Sequence, residues 1–153
     1  MTRATGRSRV EVVLLDAAWV KALPGVERLV RKAARAALGV RVRSLTVALS
    51  DDRRVQALNK RDRKKDKPTN VLSYPSGEKT FLGDIVLARQ TVLREARAQK
   101  KSPADHLAHL VVHGTLHLLG HDHETSDTDA DRMEALERRI LRKLGISDPY
   151  LEV

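Results

Sequence analysis

Cysteine is absent from this 153-residue chain, and aromatic residues make up only 3% of it. The lack of cysteine excludes disulfides, thiol catalysis, iron–sulfur clusters and every zinc site that needs sulfur ligands. Any bound metal must therefore be held by histidine, aspartate or glutamate. The four aromatic residues are too few for a protein that recognises RNA by stacking bases on aromatic side chains.

Long hydrophobic runs are missing as well. The longest apolar stretches, such as residues 12–15 and 85–88, are far shorter than the roughly 20 residues of a membrane span. The N-terminal sequence MTRATGRSR is basic but lacks the apolar core of a signal peptide, so we expect a cytoplasmic protein with no membrane partner. We expect residues 1–9 to form a flexible basic segment and residues 10–153 to form a single domain.

Positive charge dominates the composition, since 29 Lys and Arg against 20 Asp and Glu give a formal net charge of +9. Such a surplus on a small domain attracts polyanions, either nucleic acid or an anionic membrane surface. Much of it lies in residues 60–67, KRDRKKDK, a run typical of either a solvated loop or an RNA-binding segment. In the second case the phosphate-binding residues are Lys60, Arg61, Lys64, Lys65 and Lys67.

The hydrophobic periodicity predicts an α+β fold, a single domain with a mixed sheet of about four strands and helices packed on it. Strands are predicted at residues 10–15, 45–49, 71–74 and 81–88. Helices are predicted at residues 26–38, 51–60 with Ser50 as the N-cap, 89–99, 103–119 and 129–144. The helix at 103–119 is apolar nearly all round, so we expect it to be the buried central helix. Ser102 and Pro103 mark its start.

A histidine motif lies at the end of this central helix. His113 and His117 are four residues apart, so on a helix both side chains can reach one ion. Gly120 ends the helix, and His123 follows at the ligand spacing of the metzincin zinc site, H-x-x-x-H-x-x-G-x-x-H. Three imidazoles predict one Zn²⁺ ion per chain with an open fourth position, as in catalytic sites.

One position departs from the zinc-protease pattern. Those enzymes place a general-base Glu directly after the first histidine, whereas this chain has Gly114, which disfavours peptide hydrolysis. Two acidic residues are candidates for orienting a ligand histidine, Asp122 and Asp84, although Asp84 could equally pair with a loop cation. His121 is an ambiguous further imidazole that could compete as a ligand.

Three separate motifs occur in a fixed order: KDKPTNVLSYP at residues 65–75, LGDIVL at 82–87 and HGTLHLLGHDH at 113–123. Together they resemble the YbeY family of bacterial single-strand-specific endoribonucleases, which act in ribosomal RNA maturation and ribosome quality control. The resemblance implies that His113, His117 and His123 bind zinc, that His113 is also catalytic, and that Arg63 is the functionally essential arginine. The family often has tyrosine in place of His121 and an aromatic residue in place of Asp62.

The resemblance further implies a zinc-dependent endoribonuclease that matures the 3′ end of small-subunit ribosomal RNA. Its partners would be ribosomal RNA, ribosome or small-subunit precursors, and a ribosomal protein or an assembly GTPase. In this interpretation zinc activates the phosphodiester and Arg63 binds its oxygens through a planar guanidinium. Two alternatives stay open: a ribosome-assembly RNA-binding module whose metal is mainly structural, and a metal hydrolase of another class.

Overall fold

The structure, a computed structural model, describes residues 8–121 and 126–150. The strands in these residues are Arg9–Leu14 (β1), Ser44–Ser50 (β2), Val71–Pro75 (β3) and Phe81–Ala88 (β4). The helices are Ala18–Ala22 (α1), Val26–Leu38 (α2), Asp52–Arg63 (α3), Arg89–Ala98 (α4), Pro103–Leu118 (α5) and Asp127–Lys143 (α6).

The strands form one mixed sheet in the order β1-β2-β4-β3. β1 and β2 pair in parallel, as do β2 and β4, whereas β3 pairs antiparallel with β4 at the other edge. This architecture confirms the predicted α+β fold with a mixed four-stranded sheet. None of the helices in the described residues is long and apolar enough to cross a membrane.

The two faces of the sheet are covered by different helices. Because side chains alternate along a strand, Ile85 and Leu87 of β4 face the main core with α5, while Val86 and Ala88 face a smaller cluster with Val55 of α3. Helix α2 lies beside α5 on the main-core side, and α6 packs against both. The sheet therefore has a histidine-bearing helix on one face and the basic helix α3 on the other.

Helix α5 is the buried central element that the sequence predicted. Ten of its 16 residues are buried, and it contacts α2, α4, α6, β3 and β4. The Ser102 hydroxyl accepts a hydrogen bond from the Asp105 backbone amide at 3.1 Å, and Pro103 occupies the first turn, as predicted. The helix ends just before Gly120, whose φ of 103° lies in the left-handed region that favours glycine.

Several boundaries differ from the predicted ones. Helix α3 continues to Arg63, because the charged run after Lys60 consists mainly of good helix formers. Its N-cap is Asp51, which accepts from the Arg54 amide at 2.9 Å, so the prediction of Ser50 as the cap was wrong. The short helix α1 was not predicted.

The N-terminal prediction falls mostly on residues that the structure does not describe. Strand β1 begins at Arg9, one residue before the predicted domain boundary. The Ser8 hydroxyl donates to the Arg41 carbonyl at 2.6 Å, so the chain already contacts the domain at residue 8.

Candidate active site

Two of the three predicted ligands lie side by side on the last turns of α5. The rings of His113 and His117 have centroids 5.0 Å apart, and both side chains are half-buried. This arrangement confirms that the four-residue spacing places both imidazoles on one helix face. The third predicted ligand, His123, and the predicted orienting residue Asp122 lie outside the described residues.

A fully buried carboxylate contacts the first of these histidines. Glu137, on α6, has its Oε2 atom 2.6 Å from Nδ1 of His113. Its Oε1 atom lies 3.3 Å from Nε2 of His109 and accepts a hydrogen bond from the Tyr150 hydroxyl. Burial opposes ionisation of Glu137, but the hydrogen bonds from His109 and His113 outweigh it and lower the pKa of the carboxyl to about 2.

An ionised carboxylate has no proton to donate, so Nδ1 of His113 donates to Glu137. A metal bound by His113 must then use the other ring nitrogen, Nε2. Burial, with the hydrogen bond to Glu137, raises the pKa of Tyr150, which keeps this hydroxyl a donor. These contacts resemble the carboxylate–histidine pairs of zinc enzymes.

Glu137 was not predicted as a site residue, although the sequence contains a signal for it. The buried side of α6 carries Met133, Glu137, Ile140 and Leu141, so the glutamate falls on the apolar stripe at helical spacing. A carboxylate on such a stripe costs free energy unless it meets donors in the core. A charged residue on the buried apolar stripe of α6 therefore indicated that Glu137 has a partner in the core.

The residue between the two histidines explains why a protease base is absent. Gly114 is buried against β4, and a Cβ atom built on it would lie 3.1 Å from Cδ1 of Ile85. Carbon contacts this short are repulsive, so a side chain at this position would require the Ile85 side chain to shift. The packing therefore agrees with the sequence argument against peptide hydrolysis.

Arg63 lies at the last turn of α3 and reaches the edge of the sheet. Its Nη2 atom donates to the Ser73 carbonyl of β3 at 3.0 Å, and its side chain is exposed. Ser73 pairs with Ile85 across the β3–β4 ladder, and Ile85 packs against Gly114. Arg63 thus contacts β3 at the level along the sheet where Gly114, the residue after His113, packs on β4.

Asp62, the neighbour of Arg63 in the chain, makes its hydrogen bonds to Arg61 and Tyr74. Its carboxylate accepts from Nε of Arg61 at 2.7 Å and from the Tyr74 hydroxyl at 2.8 Å. Those contacts lower the pKa of Asp62. Burial and the bond to Asp62 raise the pKa of Tyr74 to about 12. Tyr74 therefore remains a neutral donor that fixes Asp62 to the sheet.

The predicted RNA-binding cations divide into two groups. Arg61 and Lys60 lie on α3 and pair with acids, Arg61 with Asp62 and Lys60 with Asp66 at 3.7 Å. The other three lie beyond the helix, are exposed, and have no ion pair within residues 8–121 and 126–150; we call these residues, Lys64, Lys65 and Lys67, the lysine trio.

The structure does not bring Asp84 to the histidines. It shares a face of β4 with Val86, which points to the α3 side, whereas Ile85 points to α5. This placement does not fit the predicted contact between Asp84 and a ligand histidine. Glu137 makes the kind of carboxylate contact for which Asp84 was a candidate, and Asp122, the other candidate, lies outside the described residues.

A second carboxylate–histidine pair lies near the start of α5. Nε2 of the buried His106 is 2.9 Å from Oε1 of Glu95, which also accepts from the Asn70 amide at 2.9 Å. Burial opposes ionisation of Glu95, but these hydrogen bonds outweigh it and lower its pKa. His106 thus has a structural partner, and His121 is half-buried just beyond α5.

The imidazoles of His113 and His117, the two predicted ligands within the described residues, fit a zinc site. Nitrogen ligands with one ring held by a carboxylate are a typical zinc donor set. Among residues 8–121 and 126–150, no three His, Asp or Glu side chains form a group that could hold a metal. A third ligand must then come from outside those ranges, where His123 lies.

Comparison with known proteins agrees with the site. The family described as Endoribonuclease YbeY matches residues 14–145. The protein named Endoribonuclease YbeY of Azorhizobium caulinodans is 50% identical, over 92% of this chain and 95% of that protein. The protein of the same name from Parvibaculum lavamentivorans is 51% identical, over 82% of this chain and 75% of that protein.

A solved structure shares the fold. The solution structure of a Thermotoga maritima protein superimposes with a TM-score of 0.63 at 25% sequence identity, covering 88% of both chains. The sequence motifs, the fold and the similarity over most of the chain agree with one another. The chain belongs to the YbeY family of endoribonucleases and is an RNA-cleaving hydrolase.

Proposed function

We propose that this endoribonuclease depends on one zinc ion and cleaves single-stranded regions of ribosomal RNA in the cytoplasm. Its substrates are small-subunit precursors, whose RNA 3′ end it matures, and ribosomes under quality control. The observation that carries the zinc dependence is the pair of adjacent imidazoles, His113 and His117, with Nδ1 of His113 bonded to Glu137.

The residues that would hold the ion are His113, His117 and, by sequence spacing, His123. Because imidazole ligands bring no negative charge of their own to the ion, bound zinc would supply Lewis-acid charge for an anionic phosphodiester. Glu137 holds the His113 ring through Nδ1, so this ligand needs little reorganisation on binding. Leu116 and Leu118 are buried beside the ligands and pack this end of α5 into the core.

Arg63 provides the second element of the proposed site. Its guanidinium is exposed and tied by one nitrogen to the Ser73 carbonyl, which orients the group while leaving other N–H donors for phosphate. A planar, bidentate donor stabilises charge that develops on phosphate oxygens in the transition state.

The lysine trio and the end of α3 would bind the RNA backbone. These exposed cations follow Arg63 directly in the chain, so a strand bound by them passes near its guanidinium. With aromatic residues at 3% of the chain, contacts are made to phosphates more than to bases. We therefore expect weak sequence preference. The proposal includes binding to a ribosomal protein or an assembly GTPase, which family membership supports.

The test is a cleavage assay on matched single-stranded and duplex RNA. We expect cleavage of the single strand, loss after chelation, and recovery with zinc. Arg63→Ala should lower turnover by about 10²- to 10³-fold, as expected for loss of a transition-state donor. His113→Ala should be at least as damaging, whereas His106→Gln, on the same helix, should stay within a few-fold of the parent. Equal residual activity in all four proteins would indicate a contaminating nuclease, and full activity after chelation would refute zinc dependence.

A further inference from the structure

Glu137 lies outside all three sequence motifs, at residues 65–75, 82–87 and 113–123, yet it contacts His113, a predicted ligand. We propose that Glu137 is a positioning residue that fixes the tautomer and orientation of His113, and that Tyr150 in turn fixes Glu137. This inference rests on the proposed zinc function, because its consequence is the presentation of Nε2 to the metal.

The geometry assigns each oxygen of Glu137 to different neighbours. Oε1 of Glu137 accepts from Tyr150 and faces Nε2 of His109, so Oε2 is the oxygen left for His113. The 2.6 Å separation between Oε2 and Nδ1 of His113 is short, as expected for a charge-assisted hydrogen bond. This contact favours a proton on Nδ1 and opposes rotation of the ring that would present Nδ1 to a metal.

The burial of Glu137 supports a specific role. Its side chain is 0% exposed, and it occupies a position on α6 where its neighbours on the stripe are apolar. A leucine there would fill the stripe without the desolvation penalty of a buried carboxylate. Helix packing alone therefore does not account for a glutamate at this position.

Tyr150, in the segment that follows α6, contacts both Glu137 and His109. The Tyr150 ring packs edge-on against His109 with centroids 5.4 Å apart, and the guanidinium of Arg138 lies 5.3 Å from the centre of that ring. Arg138 also donates to Asp148 at 3.0 Å, which anchors this segment to α6. Residues near the C-terminus thus contribute to the candidate metal centre through Glu137.

The chain contains a matched control on the same helix. Glu95 and His106 form an equivalent carboxylate–histidine contact at 2.9 Å, and His106 is not among the predicted ligands. Replacing either glutamate by glutamine preserves size and removes the charge. A general effect of removing the charged partner of a histidine would appear in both variants, whereas an effect through His113 would appear only in Glu137→Gln.

The first measurement is zinc affinity, determined by competition with a chelator of known affinity for proteins shown to be folded by circular dichroism. We expect Glu137→Gln to weaken zinc binding by about 10- to 100-fold, the usual effect of losing the partner of a ligand histidine. Tyr150→Phe should weaken it by a smaller factor in the same direction. Glu95→Gln should match the parent. Equal losses in the two glutamine variants, or parent-like affinity in Glu137→Gln, would overturn the proposal.

The second measurement needs no metal. Long-range ¹H–¹⁵N spectra of the zinc-free protein report which ring nitrogen of His113 carries the proton. We expect the Nδ1–H form in the parent and in Glu95→Gln, and a mixture of tautomers in Glu137→Gln. A mixture in the parent would overturn the proposal even if Glu137→Gln failed to fold. Failure of the parent to bind zinc would instead refute the proposed function, since the tautomer is measured without it.

Discussion

Replacing Gly114 by alanine tests the contact between the histidine-bearing helix and the sheet. In a helix interior this change gains about 1 kcal/mol of intrinsic propensity. Here, however, the new Cβ would lie 3.1, 3.2 and 3.3 Å from three side-chain carbons of Ile85. Overpacking a filled core costs about 1–3 kcal/mol. The net expectation is therefore a destabilisation of up to about 2 kcal/mol, opposite in sign to the propensity effect.

The assay is urea unfolding of the metal-free protein, because bound zinc would add its own stabilisation. The control is the same substitution in an Ile85→Val background, which lacks Cδ1, the nearest of the three carbons. We expect the cost of Gly114→Ala to fall by about 1 kcal/mol there, as a double-mutant cycle between touching residues predicts. If Gly114→Ala stabilised both backgrounds equally, the close packing of α5 on β4 would be refuted.

Three further predictions concern pH, RNA binding and turnover. Nε of Arg89 donates to Asp16 at 2.6 Å and lowers the pKa of that carboxyl below its ordinary 3.8, so its stabilisation is present above pH 3.8 and lost as pH falls through the lowered value. Arg89→Met should therefore lower the urea midpoint at pH 7, and the drop should shrink as the pH is lowered below 3.8; an equal drop at every pH would contradict this. Replacing the lysine trio with alanine should lower the slope of log affinity for single-stranded RNA against log salt by about 2, at about 0.7 per cation, and an unchanged slope would argue against phosphate contacts. Arg63→Lys should keep RNA affinity within a few-fold while losing most turnover, because lysine retains the charge without the bidentate geometry; parent-like turnover would contradict the proposed role.

Local patterns were sufficient for much of the candidate site. The Ser102 cap, Pro103 and the apolar run after them predicted α5, and the four-residue spacing then placed His113 and His117 on one face. Both inferences depend only on helix geometry and on groups close in sequence. The extent of α3 was harder to predict, because a dense run of charge is compatible with either a helix end or a loop.

Glu137 shows where sequence reasoning stopped. Its charge conflicted with its place on the buried stripe of α6, but nothing within that helix names the partner. The contact with His113 exists because α6 packs against α5, a pairing between residues 24 positions apart. Asp84 shows the converse, since it lies within one of the three sequence motifs but shares a face of β4 with Val86, which turns toward α3.

The sequence by itself determined the chemistry available to this protein: it is a cysteine-free, basic chain in which any metal must be held by histidine, aspartate or glutamate, and two of its histidines are spaced by the helical repeat. Tertiary structure decided which carboxylate meets which imidazole and what surrounds the Arg63 guanidinium. The physical reason is that a ligand's spacing on a helix is fixed by backbone hydrogen bonds within that helix, whereas its partners depend on how helices and strands distant in sequence pack together.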